Sequence, residues 1–419
     1  MNTSINLLKQ NFRKTFLPFY RYLHVDGMEN ENTKLIRTRK YRLKLNSLQK
    51  KLLQKHRNNY RYLYNKAVGI LNYREVYEVP EFIKDTEFER APSGDYYSKF
   101  ELRNLLVPEE VNCRSPWVLK SGSSIREQAV FEAHKNWKTN IDLVKAGKKR
   151  FFDLKFKSKK APTWTFNFEY KNVSTRKDSF DKTEFKLYEE SGFIKTTESF
   201  EIKKDSSIHF DGKYYYILVP EDRPVKCSKA ENFFVALDPG VRKFQTCYSP
   251  GQDETINIIG KNAASKIYQL LLMIDNAVST KNKRLETKLR LRVKNLQKEL
   301  HDKTSRFLCE NYNTIYIPKL TKGNDIIKKK NRKIRTKTVR NMVLLGHCKF
   351  VEKLKTKASE YSNIKVIIVT EEYTSQTCLK CHTRTKTSNE LYKCKNCGFE
   401  IDRDILGSIN ILLKEWCLM

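Results

Sequence analysis

The 419-residue sequence lacks the segments that direct a protein to or through a membrane. No run of 18 or more uncharged apolar residues is present, so we predict no transmembrane helix. The first 39 residues contain no apolar stretch followed by small residues, so we expect no secretory signal and an intracellular protein. No internal repeat is apparent. Hydrophobic residues nevertheless make up 39%, which suffices for a folded chain of two to four domains.

Acidic residues are scarce relative to basic ones. The chain has 48 Asp and Glu against 82 Lys and Arg, which gives a formal net charge of +34. Such an excess destabilises a compact state by self-repulsion unless a polyanion neutralises it. Basic residues occur along the whole chain, with dense runs at 155–160 and 328–340, so the sequence predicts a long nucleic acid as partner. A basic surface that only keeps the protein soluble is the alternative, and it rarely needs so large a surplus.

The ten cysteines fall into two groups. Four form two C-x2-C pairs separated by twelve residues, Cys378 with Cys381 and Cys394 with Cys397. Two such pairs complete the tetrahedral set of four thiolates that Zn²⁺ takes in closed structural sites, and Gly398 suits the sharp turn after the second pair. An iron–sulfur site or a redox pair fits this spacing less well. The other six are expected to be reduced thiols: Cys113, Cys227, Cys247, Cys309, Cys348 and Cys417.

Acidic residues also stand at the ends of two apolar strands. Asp238 follows one strand directly, and Glu371 or Glu372 follows another. A carboxylate at the carboxyl end of a buried strand faces the crevice of the sheet, where it can hold a divalent ion. Each position, taken alone, would also suit a turn or a solvated strand end. Their combination with a third acid beyond the cysteine pairs favours a metal site.

This third acid belongs to an Asp-Arg-Asp segment. Asp404 opens a helix in which Gly407 and Ser408 would allow close approach to the sheet. The small residues therefore favour Asp404 over Asp402 as the ligand that reaches the metal.

Hydrophobic periodicity predicts the main secondary-structure elements. A helix is predicted from Ser123 or Ser124, with Glu127 completing a capping box. The other predicted helices cover 47–72, 263–310 with a break near 279–280, and 341–360. Strands are predicted at 40–45, 151–157, 163–170, 200–203, 213–219, 233–237, 314–317 and 365–370.

The C-terminal motifs resemble those of TnpB, the transposon-encoded RNA-guided family ancestral to the type V CRISPR nucleases. The string YTSQTC at 373–378 leads into the paired cysteines and then to Asp-Arg-Asp at 402–404 and Ile-Asn-Ile at 409–411. Asp238 and Glu371 precede it in the family's order. The resemblance covers most of residues 35–419, with weaker upstream similarity at 61–65, 125–130 and 155–159.

The resemblance implies an α/β multidomain fold. We expect an RNase H-like RuvC nuclease domain with an inserted zinc ribbon. We also expect an N-terminal β-barrel, or wedge, domain with an inserted helical recognition domain. The expected boundaries are 1–34 for a polar leader, 35–48 and 148–232 for the wedge-like barrel, 49–147 for the helical domain, 233–372 and 401–419 for the nuclease, and 373–400 for the ribbon.

The resemblance also implies the chemistry of an RNA-guided DNA endonuclease. Asp238, Glu371 and Asp404 would hold two Mg²⁺ ions for phosphodiester hydrolysis, and the Zn²⁺ on the four paired cysteines would be structural. A guide RNA of the omega type would pair with double-stranded target DNA, while the protein reads duplex shape and a short flanking motif. We expect a monomeric ribonucleoprotein, and a nuclear one if the source is eukaryotic.

One position departs from TnpB. Bacterial TnpB carries a catalytic glutamate on the strand before the basic run, where this chain has Pro318 followed by Lys319. Glu371 instead resembles the relocated glutamate of Fanzor, the eukaryotic and giant-virus branch of the family. Because strand alternation puts Glu371 and Glu372 on opposite faces, only one of them can face the metals. The sequence is Fanzor-like and predicts Glu371 as the second catalytic carboxylate.

Two other classes of function compete with this interpretation. A catalytically inactive zinc-ribbon protein that binds RNA or DNA would have the same fold, and it would also explain Pro318. A DDE-type transposase uses three carboxylates on a related fold, but it would not place a four-cysteine ribbon between the second and third acids. The nuclease should copurify with RNA of defined length, whereas a transposase should bind specific DNA ends.

Overall fold

The structure is a computed structural model that describes residues 34–72, 97–109, 112, 115–228, 230, 232–250, 255–319, 336–387 and 389–417. The predicted leader, apart from Lys34, and most of the basic run at 328–340 lie outside these residues. The chain divides into two compact units, one of Ile36–Arg223 and one that contains Pro224–Met419. None of the described helices is long and apolar enough to cross a membrane.

The unit Ile36–Arg223 combines one large sheet with helices. Its strands are β1 Lys34–Lys44, β2 Trp164–Phe168, β3 Ser174–Lys177, β4 Thr183–Lys186, β5 Ile194–Thr196, β6 Ser206–Phe210 and β7 Tyr215–Pro224. They are ordered β2-β6-β7-β1-β5-β4-β3. The described helices are α1 Ser47–Asn72, α2 Lys99–Leu106, α3 Pro116–Leu119 and α4 Ser123–Lys145.

The described strands of this unit form one seven-stranded half-barrel sheet with two edges, where the resemblance implies a wedge-like β-barrel. β2 and β3 are its two edges. All four residues of β3 are exposed, and two of them are basic. Exposed charged side chains are a usual means of keeping a sheet edge from pairing.

The core of this unit is formed where α1 and α4 pack together. Ile125, Ala129, Ala133 and Trp137 recur every four residues on one face of α4, and all four are buried. Residues at this spacing lie along one side of a helix, so they form a continuous apolar stripe. The helices predicted at 47–72 and from 123 are thus confirmed.

The capping box predicted at the start of α4 is wrong. The residue before the helix is Gly122, and no side chain caps the helix there. The Ser124 hydroxyl instead accepts a hydrogen bond from the backbone N–H of Glu169, at 3.2 Å. A long-range partner has replaced the local one. The chain places a complete capping box elsewhere, at α2, which the sequence did not predict: Ser98 and Glu101 exchange both hydrogen bonds.

The strand predicted at 151–157 is also wrong, because side chains of α1 bind its backbone. Asn65 accepts from the N–H of Lys157 at 2.7 Å and donates to its carbonyl at 3.1 Å. Asn72 does the same with Leu154, at 3.0 and 2.9 Å. The two asparagines are two helical turns apart and share one face. The backbone N–H and carbonyl groups of Leu154 and Lys157 therefore have hydrogen-bond partners without belonging to a sheet. The strand predicted at 200–203 is likewise absent.

The unit that contains Pro224–Met419 is built around a five-stranded sheet ordered β10-β9-β8-β11-β12. β8, β11 and β12 run parallel, and β9 is antiparallel to both β8 and β10. The strands are β8 Asn232–Asp238, β9 Gln245–Ser249, β10 Thr255–Ile259, β11 Tyr312–Pro318 and β12 Lys365–Val369, with a small hairpin of β13 Leu391–Lys393 and β14 Glu400–Asp402. The described helices are α5 Ala263–Ser279, α6 Lys283–Asn311, α7 Thr336–Leu345, α8 His347–Ala358 and α9 Arg403–Cys417.

The helices of this unit follow the sequence prediction with one correction. The predicted break near 279–280 separates α5 from α6. The single helix predicted at 341–360 is two helices, α7 and α8, with Gly346 between them at φ +62°. This left-handed conformation favours glycine and ends a right-handed helix. A Cβ on Gly346 would lie 2.3 Å from the Gln297 amide nitrogen, so a side chain there would also clash.

Removing the amide of Asn65 should destabilise the unit Ile36–Arg223. Asn65→Ala leaves the N–H and the carbonyl of Lys157 without their partner, which costs about 2 kcal/mol of unfolding free energy. Chemical denaturation would measure the loss. Asn58→Ala is the matched control, since within the described part of the chain the Asn58 side-chain oxygen accepts from Gln54 and Arg57 of its own helix. Equal stability of the two variants would contradict the role assigned to Asn65.

Candidate functional site

The four paired cysteines converge in one cluster. Their sulfur atoms all lie within 4.8 Å of one another, with Cys378 and Cys397 at 3.6 Å and Cys381 and Cys394 at 3.5 Å. A tetrahedral zinc site with Zn–S bonds of about 2.3 Å places its sulfurs about 3.8 Å apart. The cluster therefore fits a four-thiolate metal site. Among the described residues it is the one group of three or more potential ligands gathered this tightly.

The turns around this cluster account for its geometry. The N–H of Gly398 donates to the carbonyl of Cys394 at 3.0 Å, and Gly398 has φ +71°. The N–H of His382 donates to the carbonyl of Cys378 at 3.1 Å in the other pair. Each turn thereby points two sulfurs to one side. His382 is exposed and is not part of the cluster.

Asp238 and helix α9 meet at the carboxyl end of β8. A Cβ built on Gly407 would lie only 2.5 Å from Oδ2 of Asp238. Only a glycine permits this approach, because a methyl group would displace either the helix or the carboxylate. Gly407 and Asp404 are three residues apart and therefore lie on one side of the helix. The close packing expected from the small residues is present and brings Asp404 to Asp238.

Asp402 has a structural role at the start of the same helix. Its Oδ1 accepts from the N–H groups of Asp404, at 2.9 Å, and Ile405, at 3.2 Å. Its Oδ2 accepts from Nζ of Lys243 at 2.7 Å. Both oxygens are thus engaged in capping α9 and in an ion pair. Burial acts to raise the pKa of Asp402, but the hydrogen bonds from Lys243 and the backbone outweigh it and lower the pKa.

The electrostatics of Asp238 reveal which acids surround it. Burial, followed by the negative charges of Asp404 and Glu371, raises the pKa of Asp238 to about 7, while Arg403 and Lys243 act in the opposite direction. The structure thus brings the three acids into one electrostatic cluster. Mutual repulsion of neighbouring carboxylates is what a bound divalent cation would relieve, so their chemistry fits a metal site.

Glu371 approaches this cluster from the far side of Pro318. Pro318 is buried at the end of β11, pairs with Val369 at the end of β12, and lies two residues beyond the pair of Tyr316 with Ala236. β11 therefore separates β8 from β12, at about 10 Å between the outer strands. Glu371 lies two residues past β12, and burial raises the pKa of its carboxyl group, although the residue keeps an exposed surface. Glu372 is not among the charges with the largest effect on the pKa of Asp238.

The segment that follows Glu371 is fastened to α9 by Asn410. The buried Asn410 amide donates to the carbonyls of Thr374, at 2.7 Å, and Thr377, at 2.8 Å. The Thr374 hydroxyl in turn donates to the carbonyl of Glu371 at 2.9 Å. One helix thus carries Asp404 and also positions the backbone of Glu371.

Lys243 and His347 belong to this site and were missed by sequence reasoning. Lys243 reaches Asp404 Oδ2 at 3.4 Å as well as Asp402. His347 is buried, and its Nε2 lies 3.1 Å from the carbonyl oxygen of Gly240 in the turn after Asp238. Burial lowers the pKa of His347 to about 4, so the ring is neutral and donates to this carbonyl. The sequence contained one signal for Lys243, its closeness to the Asp-Pro-Gly turn, and none for His347.

A basic groove lies in the unit Ile36–Arg223, on one side of α1. It has a volume of about 840 Å³ and includes Trp117, which is 42% exposed. A second hollow of about 460 Å³ shares Lys50 and Tyr215 with it, and in that hollow Arg42 stacks on the ring of Tyr214 at 3.8 Å. Cations interleaved with exposed aromatic rings suit phosphates and bases together. The cations of the larger groove are Lys50, Lys51, Lys55, Arg61, Lys120 and Lys159.

The C-terminal part of the chain matches a known domain family. Residues 347–411, which include Glu371, the four paired cysteines and Asp404, match the model described as Cas12f1-like, TNB domain. TnpB-like protein L770 of Acanthamoeba polyphaga mimivirus is 26% identical over 403 residues, which cover 91% of this chain and 74% of that protein. Putative transposase A625R of Paramecium bursaria Chlorella virus 1 is 26% identical over 414 residues, 93% of this chain and 90% of that protein.

Among solved structures, the cryo-EM structure of a Cas12f1–sgRNA–target DNA complex aligns with 90% of this chain and 98% of that chain, at 15% identity and a TM-score of 0.32. The family model and the viral relatives agree with the resemblance found in the motifs: the C-terminal part is similar to a Cas12f1-like TNB domain, and most of the chain is similar to TnpB-like proteins. Its relatives among the giant viruses are TnpB-like proteins and proteins named as transposases.

Replacing one paired cysteine should remove the metal from the cluster. Cys381→Ser breaks a four-thiolate set that has no spare ligand, so zinc content should fall from about one ion per chain to nearly none, with local unfolding of the ribbon. Elemental analysis of the purified protein measures this. Cys227→Ser is the control, because Cys227 is an exposed thiol outside the cluster. Zinc retained in full by Cys381→Ser would disprove the assignment.

Proposed function

We propose that this chain is an RNA-guided DNA endonuclease, Fanzor-like within its family, that hydrolyses target DNA at a RuvC-like site with two Mg²⁺ ions. The observation that carries the proposal is the convergence of Asp238, Asp404 and Glu371 at the carboxyl edge of one sheet. A mixed sheet of three antiparallel strands followed by two parallel ones supports an RNase H-like domain. The similarity to the Cas12f1-like TNB domain and to TnpB-like proteins supports the nuclease activity.

The proposed roles of the site residues follow from their placement. Asp238, Glu371 and Asp404 would hold the ions, which when bound activate the attacking water and stabilise the leaving 3′-oxygen. Asp402 caps α9 and so orients Asp404. Asn410 fixes the segment of Glu371 against the same helix. The protein's own contribution is thus to hold three acids from separate segments at one place.

The proposed zinc has a structural task in this arrangement. Cys378, Cys394 and Tyr392 share one apolar cluster with Leu406 and Ile409 of α9. The ribbon therefore packs directly on the helix that carries Asp404. Four thiolates leave zinc no open position, so it would stabilise the fold and take no part in hydrolysis.

We further propose that the basic groove of the unit Ile36–Arg223 contacts the backbone of the guide RNA or target DNA. Six cations and an exposed Trp117 line one continuous surface along α1. Phosphates neutralise such cations, and unpaired bases stack on exposed rings. The wedge and recognition domains at 35–48, 49–147 and 148–232 remain our proposed subdivision of this unit.

A catalytically inactive RNA- or DNA-binding protein is the second candidate. Pro318, which lacks a carboxylate at the position of the usual glutamate, favours it. Lys319 beside it adds a positive charge that would repel a cation. The two candidates therefore differ in whether Glu371 supplies the missing ligand.

Glu371→Gln should abolish guide-directed DNA cleavage and leave nucleic-acid binding intact. The amide keeps the shape of the side chain but removes the charge that a divalent ion needs. Loss of an outer partner of a ligand alone costs about 10- to 100-fold, so loss of a ligand should lower the rate by more than about 100-fold. Cleavage of a matched DNA by the purified ribonucleoprotein in Mg²⁺ measures the rate.

Glu372→Gln is the matched control for this change and should cut at the normal rate, because Glu372 is not among the charges with the largest effect on Asp238. Normal cleavage by Glu371→Gln would refute the relocated glutamate. If the unaltered protein binds guide and target yet never cuts in Mg²⁺ or Mn²⁺, the inactive alternative is correct.

Neutralising three groove lysines should weaken nucleic-acid binding and make it less sensitive to salt. Lys50, Lys51 and Lys55 changed together to Gln remove up to three phosphate contacts, so the slope of log K against log salt should shrink by about 2 to 3. Filter binding is measured separately with guide RNA and with target DNA, from low to moderate salt. The comparison shows which of the two nucleic acids contacts the groove. The triple change of Lys283, Lys288 and Lys298, exposed on α6, is the control. An unchanged slope with both nucleic acids would exclude the groove.

A further inference from the structure

Lys243 occupies an unusual position for a lysine, inside the acidic cluster. Its side chain is only 15% exposed. Its Nζ lies 2.7 Å from Oδ2 of Asp402 and 3.4 Å from Oδ2 of Asp404. The ammonium group therefore lies against two carboxylates, one of which belongs to an acid that we propose as a metal ligand.

The backbone holds Lys243 in this place. It belongs to the turn between β8 and β9, five residues after Asp238. A Cβ on Gly240 would lie 2.8 Å from the carbonyl oxygen of Lys243, which shows how tightly the turn folds back. His347 holds the same turn, because its Nε2 lies 3.1 Å from the carbonyl oxygen of Gly240. The turn thus carries two residues of the site, with Asp238 at its start and Lys243 towards its end.

The two acids that Lys243 contacts are not equivalent. Asp402 is fixed, because its Oδ1 caps α9. Asp404 is held less tightly: Arg403, at 3.9 Å, is the other cation the structure places beside its carboxylate among the described residues. A lysine has a flexible four-carbon stem and a compact charge, so its head group can leave one acid while it keeps the other.

We propose that Lys243 is a tethered counter-ion that shares the divalent-ion site: it neutralises Asp404 when no ion is bound, and it withdraws to Asp402 alone when an ion binds. This inference rests on the proposed function, because it takes Asp404 to be a metal ligand. Lys243 would then lower the affinity for the ion, since each ion that binds must displace an ammonium group and tolerate its charge nearby.

The alternative role, a structural support for the site, predicts an effect of opposite sign. A lysine that only held α9 against the β8–β9 turn would improve the geometry of the acids. Its removal would weaken ion binding. A competing cation, by contrast, binds in place of the ion, so its removal tightens ion binding. The sign of the change in affinity separates the two roles.

The test is direct titration of the zinc-loaded full chain with Mn²⁺, followed by electron paramagnetic resonance. We expect Lys243→Met and Lys243→Gln to bind Mn²⁺ about five to ten times more tightly than the unaltered protein. Lys243→Arg keeps the charge and should bind like the unaltered protein. Arg242→Gln is the matched control. Arg242 belongs to the same turn, but it is half exposed and pairs with Glu390 outside the cluster, so its loss should change the affinity little.

Asp404→Asn separates failure of this inference from failure of the proposed function. If Asp404→Asn loses Mn²⁺ binding but both neutral variants of Lys243 bind Mn²⁺ equally or more weakly than the unaltered chain, Lys243 is a structural support and the inference is overturned. If Asp404→Asn binds Mn²⁺ as tightly as the unaltered chain, the carboxylate site itself is refuted, and the inference falls with it.

Discussion

The approach of α9 to the end of β8 is the contact on which the candidate active site depends. Gly407 faces the carboxylate of Asp238 so closely that even a methyl group would come within 2.5 Å of an oxygen. The helix can therefore lie directly on the sheet edge, and its first turn delivers Asp404. Burial by this packing, together with the charges of Asp404 and Glu371, is also what raises the pKa of Asp238 to about 7. Close packing and charge concentration are thus two results of one contact.

The remaining parts of the unit maintain this contact from three directions. Asp402 caps the first turn of α9, so the helix starts at a fixed residue. The cysteine ribbon packs on Leu406 and Ile409 of the helix. Asn410, one further turn along, fastens the segment after Glu371. A single helix therefore sets the positions of Asp404 and Glu371, two acids that lie far from Asp238 in the sequence.

Sheet geometry explains how a glutamate after β12 can reach the acids near β8, although the usual glutamate position lies on β11. Pro318 ends the strand between β8 and β12, level with Val369. Its compact, buried ring carries no charge into the space above the sheet edge. Glu371, two residues beyond Val369, is close enough for its charge to act on Asp238. In the site that we propose, the carboxylate missing at Pro318 would come from Glu371, after the outer strand.

How much of this could be predicted from the sequence depends on whether the signal is local. The cysteine pairs are local, because each pair lies in one tight turn, and their convergence confirms the predicted cluster. The placement of Asp238 at a strand end and of Asp404 in the first turn of a helix was equally readable.

Long-range contacts could not be predicted from the sequence. Asn65 and Asn72 bind the backbone of a segment 92 and 82 residues away, respectively, and so remove the strand predicted there. Ser124 likewise binds Glu169 rather than capping its own helix. Lys243 meets Asp402 across 159 residues, a pairing that no periodicity encodes. In each case a polar side chain found a distant partner that competed successfully with the local pattern.

The central claim is that Asp238, Glu371 and Asp404 form one divalent-ion site. Anomalous scattering from crystals of the protein with nucleic acid and Mn²⁺ tests it most directly. We expect two peaks, each within bonding distance of at least one of these carboxylates, and separate from the zinc on the cysteines. Peaks that all lie away from the three acids, or none beside them at saturating Mn²⁺, would contradict it.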